Sequence, residues 1–262
     1  MQAEKRSKSR INAEKRIQEV ILIAENIIAM KGMRNLALQE IIDKSTMSRG
    51  TFFKQFPNKE TVLTYLAIAG LNYWNELIAR TNNYTGLSRE KMIILHVTQV
   101  LCSRLRPYQY DAIFEANNVM NRSAVSEEIN NIFDDRIRVI IQVIQGYIKQ
   151  AINIENTLSP LHSHLDIEDL AFFVWSSRYG ASCSSLNFQI SKKEGDLNQK
   201  YKIFTQVILD SLGWKPLSSE INYDRVLSNL LTTYFNKERK EAKKTINKQG
   251  AFPLTIIDQE NL

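Results

Sequence analysis

Ile17, Val20, Ile21, Ala24, Ile27 and Ile28 recur so that each lies three or four residues from another of the set. That spacing lines one face of an α-helix, whereas a half-buried strand alternates at a period of two. Stripes of the same kind recur along most of the chain. Only nine Gly and five Pro interrupt its 262 residues. Turn-rich β architecture needs far more of both. The expected fold class is therefore all-α.

The first helix is predicted over about 12–31, with Gly32 beyond its Lys31 end as a C-cap. A short second helix covers 37–44, with Leu38, Ile41 and Ile42 inward. Ser48 can cap a third short helix through its hydroxyl. Phe56-Pro57 ends that helix, because a residue before Pro disfavours the α region. Asn58 caps a fourth helix with the stripe Val62, Leu63, Leu66, Tyr73 and Leu77. Further helices are predicted at about 88–105, 109–121, 124–154, 166–187, 197–213 and 222–244. The domain reading is a flexible basic arm at 1–11, a helical unit at 12–60, a second helical domain at 61–244 and a disordered tail at 245–262.

Several functional classes lack their signatures. There is no GxSxG, P-loop, HExxH or dinucleotide fingerprint, and three His with two Cys are dispersed, so an enzyme is not expected. Cys102 and Cys183 form no CxxC or disulfide framework. His162, His164 and Asp166 alternate in a predicted loop without a fourth ligand nearby, too little for a metal site. No metal and no cofactor are expected. No apolar run approaches bilayer length, and no signal-type apolar region follows the basic start, so a cytoplasmic, nucleoid-associated location is expected.

The charge is uneven. Residues 1–63 hold 12 Lys+Arg and 7 Asp+Glu, whereas residues 64–236 hold 16 against 17. A basic end on a neutral body points to a polyanion for that end.

The stretch STMSRGTFFKQFPNKE at 45–60 gives that polyanion a reader. Two short helices joined by a tight turn, braced by longer ones, make a helix-turn-helix. Its second helix enters the major groove of double-stranded DNA with its N-terminal residues. Phe52 and Phe56 are four apart and can anchor that helix on the core. Arg49, Gly50, Phe53 and Lys54 then lie mostly on the other side. Gly50 lets the backbone approach DNA closely. Arg49 suits a guanine edge or a phosphate, Thr51 can donate to either, and Lys54 and Lys59 suit phosphates.

Residues 16–63 resemble the N-terminal DNA-binding domain of the TetR family of bacterial transcriptional regulators. The resemblance is carried by RIQEVILIAENIIAMKG with its closing Gly, by LALQEII, and by MSRGTFFKQFPNKETVL. The last fits the family pattern apolar-Ser-x-Gly-Thr-apolar-aromatic-x-x-Phe-x-x-Lys-Glu. It implies recognition-helix contacts from Ser48, Arg49, Gly50, Thr51, Phe53 and Lys54, and phosphate contacts from Lys59 and from the second helix near Gln39; Thr46, in the turn between the two helices, is counted with the DNA-binding residues. Three positions depart from the family. Ala37 replaces a capping Ser or Thr, Thr46 replaces the turn Gly, and Phe53 replaces a Tyr whose hydroxyl bonds a phosphate. Thr46, β-branched, is poor at positive φ. Weaker backbone contacts are expected; the arm KRSKSR at 5–10 is read either as lying in the minor groove, where it would offset them, or as a disordered solubilising terminus.

The resemblance further implies that the second domain binds a small-molecule effector and dimerises. A two-fold dimer doubles the readout on a palindrome. The helices near 166–187 and 197–213 are the expected homodimer face; Gly180, Ala181 and Ser184 allow close approach. A ligand pocket between the helices near 88–121, 124–154 and 166–187 would be lined by His96, Gln99, Phe114, Asn117, Asn118, Tyr147, Trp175 and Arg178. The expected function is a repressor that binds a palindromic operator as a homodimer and is released by an inducer. The alternatives are an architectural DNA binder without sequence preference and a protein-interaction module on the same fold.

Overall fold

The structure is a computed structural model that describes residues 2–158, 165–185 and 197–249. All regular structure among them is helical, and no strand occurs. The helices are α1 (Gln2–Lys31), α2 (Leu38–Lys44), α3 (Arg49–Gln55), α4 (Lys59–Ala79), α5 (Ser88–Leu105), α6 (Pro107–Ala116), α7 (Val119–Ser123), α8 (Glu127–Gln150), α9 (Ile167–Ser185), α10 (Leu197–Ser211), α11 (Tyr223–Thr233) and α12 (Asn236–Gln249). The chain divides into two compact units. The first holds residues 1–72 and 106–136, and the second holds residues 73–105 and 137–262. The breaks between the units fall inside α4, between α5 and α6, and inside α8.

The boundaries depart from the sequence reading where local signals outweighed periodicity. Helix α1 begins at Gln2, so the segment 5–10 is helical backbone, not a loose arm. Residues 2–11 hold good helix formers and no Gly or Pro, so nothing stops the helix. At the other end, α12 runs to Gln249. The predicted helix at 109–121 starts at Pro107, a residue favoured in the first turn. It stops at Ala116, and Asn118 caps the separate α7 by accepting from the Met120 N–H at 2.9 Å. Helix α8 passes into a π-helical turn at Ala151–Glu155, closed by Asn156 in the left-handed region at φ 51°. The predicted helix at 222–244 breaks at Tyr234, where Phe235 turns fully inward.

In the first unit, Val20, Ile21, Ala24, Ile27 and Ile28 of α1 are buried with Ile41 and Ile42 of α2, Phe52 of α3, Phe56, and Val62, Leu63 and Leu66 of α4. The stripe that predicted α1 is the stripe it buries. Helices α4 and α6 approach closely at Gly70, where a Cβ would stand 2.8 Å from the Gln109 carbonyl oxygen. Burial raises the Glu25 carboxyl above its ordinary pKa, opposed by a hydrogen bond from Gln109 and the charge of Arg106.

In the second unit, α5 is buried on nearly every face and packs on α10, α11 and α12. A polar knot fixes its N-terminus. The Ser88 N–H donates to Glu155 at 2.9 Å and its hydroxyl donates to the same carboxylate at 2.5 Å. Trp214 Nε1 donates to Ser88 Oγ at 2.9 Å. The buried Arg89 guanidinium donates to the Trp214 carbonyl and, at 2.5 Å, to Asp210. A buried Arg requires such partners, because an uncompensated buried charge costs several kcal/mol. Helices α11 and α12, which extend the chain beyond what the resemblance covers, are thus built into this core. Glu238 of α12 is buried and pairs with Arg80 at 2.6 Å, and Ala242 packs with Leu105 and Tyr73.

Candidate nucleic-acid interface

The site is assembled from α1, the turn at 45–48, and α3. Ser48 caps α3 as expected, with extended backbone and an Oγ that accepts from the Thr51 N–H at 3.3 Å. Its hydroxyl also lies 2.9 Å from Thr51 Oγ1. Phe52 and Phe56 are fully buried, with ring centroids 5.2 Å apart, and Phe56 meets Tyr65 edge-on at 5.5 Å. These rings set the rotation of α3. Arg49, Gly50, Phe53 and Lys54 consequently face outward and are exposed, and Thr51 is half-buried.

The outward face has internal order. The Arg49 guanidinium lies over the Phe53 ring, 5.7 Å from its centroid. A cation over an aromatic face is attracted by the ring quadrupole, so Phe53, which lacks a hydroxyl, braces the neighbouring Arg49 side chain. At Gly50 a Cβ would meet nothing within 4 Å. The protein's own packing therefore does not require a glycine there. Gly50→Ala is expected to stabilise the domain by about 0.5–1 kcal/mol, because Gly is costly inside a helix. The same change should weaken DNA binding if the backbone approaches DNA at this point. Denaturation and DNA-binding titrations on the one variant read both signs; gains in both would remove Gly50 from the interface.

The three departures from the family resolve differently. Ala37 is extended at the N-cap of α2 and offers no side-chain cap, as its chemistry dictates. Thr46 does not adopt positive φ. The Glu19 carboxylate of α1 holds it instead: Oε1 accepts from the Thr46 N–H at 2.6 Å and Oε2 from its hydroxyl at 3.0 Å. Both Thr46 donors are therefore engaged within the protein. Gln39 is exposed and donates to Asp43 at 2.6 Å. Lys59 Nζ donates to the Arg34 carbonyl at 2.8 Å, which uses one of its three N–H groups. Asn58 caps α4, accepting from the Thr61 N–H at 2.8 Å. Sequence reasoning missed Glu19: its partner lies 27 residues away, so no local pattern marks it.

The residues proposed as ligand-lining do not fall into one group. Phe114, Asn117 and Asn118 belong to the first unit and the other five to the second. Phe114 stacks edge-on with Tyr110 at 5.3 Å, and Asn117 and Asn118 are exposed helix-end residues. In the second unit, Arg178 Nη2 donates to Gln99 Oε1 at 2.7 Å, and Gln99 Nε2 donates to the buried Ser182 at 2.6 Å. His96 Nδ1 is hydrogen-bonded to the Tyr223 hydroxyl at 2.6 Å. Burial, reinforced by the charges of Arg178 and Lys202, pushes the His96 imidazole down to about 3 and keeps it neutral. Trp175 stacks with Trp74, centroids 6.3 Å apart. Tyr147 is half-buried, and burial pushes its hydroxyl up to about 12. His162 and His164 lie outside the described residues. Asp166 caps α9, its carboxylate accepting from the Asp169 N–H at 2.8 Å. No helix among the described residues is long and apolar enough to cross a membrane.

Comparison with known proteins bears on this geometry. Residues 21–66 match the family described as bacterial regulatory proteins, tetR family. Comparison with curated proteins yields no match. Among solved structures, the fold is similar to a tetR-family regulatory protein from Rhodococcus, with a TM-score of 0.56 and 16% identity over 76% of this chain and 98% of that one. It is similar to the fatty acid degradation regulator of Bacillus halodurans, with a TM-score of 0.55 and 15% identity over 74% and 94%. A ketosteroid transcriptional regulator of Mycobacterium tuberculosis aligns with a TM-score of 0.53 and 17% identity over 75% and 94%. The family match falls on α1 to α4, and the similarity in fold covers about three quarters of the chain. Residues 21–66 thus carry the match to the tetR family, around the helix-turn-helix, and the described residues share the all-α fold of solved regulators of that family.

Proposed function

We propose that the protein is a repressor that binds a palindromic operator as a homodimer and leaves it when a small-molecule effector binds. One observation carries the reading. Helix α3 turns Phe52 and Phe56 into the core and leaves Arg49 and Gly50 outward at the N-terminal end that a recognition helix presents to base edges, with Lys54 outward in its last turn. Base contact by Arg49 and phosphate contact by Lys54 and Lys59 follow from their chemistry. Effector release requires a ligand that favours an arrangement of the two recognition helices unfit for successive major grooves.

The homodimer is supported by α9 and α10. These two helices pack on each other, yet expose Phe172 (72%), Phe173, Ile203, Phe204 and Val207 (59%). Large apolar side chains grouped on adjacent helices mark an association surface. Gly180 is exposed, and a Cβ there would meet nothing within 4 Å, which leaves room for a partner helix. Phe172→Glu is expected to convert the dimer to a monomer in sedimentation velocity at micromolar protein. Its operator affinity should fall with dimerisation, while its helical content is retained. A wild-type protein that sediments as a monomer at all concentrations would refute this arrangement.

A further inference from the structure

We propose that Glu19 is a positioning residue for sequence recognition, holding the turn that aims α3. The inference rests on the reading of 45–60 as the DNA-reading segment. Thr46 stands midway through the turn between α2 and α3, where the chain reverses before Ser48 caps the recognition helix. That turn has few ties of its own. Ser45 is held by its N–H and hydroxyl, both donating to the Ile42 carbonyl at 3.1 Å. The Glu19 carboxylate supplies a further anchor, both oxygens engaging one residue of the turn. Bonds to an ionised acceptor are stronger than neutral ones, and two on one residue fix orientation as well as distance. Glu19 sits one residue before Val20, which is fully buried, so α1 carries the carboxylate on a rigid mount.

Charge makes this arrangement informative. A carboxylate beside a DNA-facing turn repels phosphates and lowers affinity for any duplex. Its benefit must therefore lie in geometry, which acts on specific binding only. The two effects have opposite signs in one variant.

The test compares wild type, Glu19→Ala and Glu19→Gln. Each is titrated against the duplex selected by the wild type and against a scrambled duplex of equal length, with thermal melting followed in parallel. Glu19→Ala is expected to lower the ratio of specific to non-specific affinity about tenfold, on the scale of losing bonds to a charged acceptor. Its affinity for the scrambled duplex should hold or rise. Glu19→Gln keeps one oxygen for the Thr46 N–H and should restore most of the ratio. An unchanged ratio in Glu19→Ala overturns the proposal, as does a parallel fall of both affinities with the melting temperature, which would mark a merely structural residue. A wild type that binds both duplexes equally removes the DNA-reading assignment itself, and the proposal with it.

Discussion

Phe52→Ala is expected to destabilise the DNA-binding domain by about 3–5 kcal/mol, the usual range for truncating a buried Phe. Phe52 is fully buried, with its ring against Phe56 at 5.2 Å and Phe53 edge-on at 5.9 Å. The cost combines lost transfer free energy with a cavity that α3, pinned at Ser48 and ended before Pro57, can collapse only partly. A loss of that size is a large part of a typical domain's total stability of about 5–15 kcal/mol. Its neighbour is the control. Phe53 is exposed, so Phe53→Ala should cost less than about 1 kcal/mol in folding while still disturbing Arg49. Urea denaturation of the two variants measures the contrast. Equal costs would mean that α3 is rotated differently from the arrangement described.

Arg49→Ala is expected to weaken binding to the selected operator about 10- to 100-fold and to relax preference at one base pair. A bidentate Arg–guanine contact is worth about 1–3 kcal/mol of discrimination. Lys54→Ala should behave otherwise. A lost phosphate contact weakens binding to all duplexes alike and reduces the slope of log affinity against log salt by about 0.9. Titration at several salt concentrations separates the two. Unchanged affinity in both variants would exclude α3 as the reading element.

The sequence specified most of α1 to α4, because their signals are local. The stripe from Val20 to Ile28 sets the buried face of α1. Ser48, Pro57 and Asn58 punctuate the short helices by capping and by steric exclusion, and Phe52 and Phe56 share a face by their spacing. Helix α5 appears at the bounds that its periodicity predicts. The ends of α1, α6 and α11 were less legible. Periodicity reports burial, not helicity, and so it missed the start of α1. It also ran through the Asn118 cap and the inward turn at Phe235, although a cap-forming Asn was there to be read.

The second unit was legible only as a set of helices. Its packing rests on pairs distant in sequence: His96 with Tyr223, Arg89 with Asp210 and Trp214, Gln99 with Arg178 and Ser182. Each residue's periodicity shows that it faces inward, but not which helix it meets there. The same limit hid the Glu19–Thr46 contact. Replacing the turn glycine by threonine looked like a defect locally, because the compensating carboxylate sits on another helix.

The measurement that bears most directly on a sequence-specific regulator is selection of bound sequences from random duplex DNA by the purified full chain at near-physiological salt, followed by footprinting of the winners. A palindrome with half-sites about one helical turn apart, each protected in the major groove, is the expected result. Steeply salt-dependent binding with no enriched sequence would contradict it and leave an architectural DNA binder; absence of binding would leave an interaction module on the same fold.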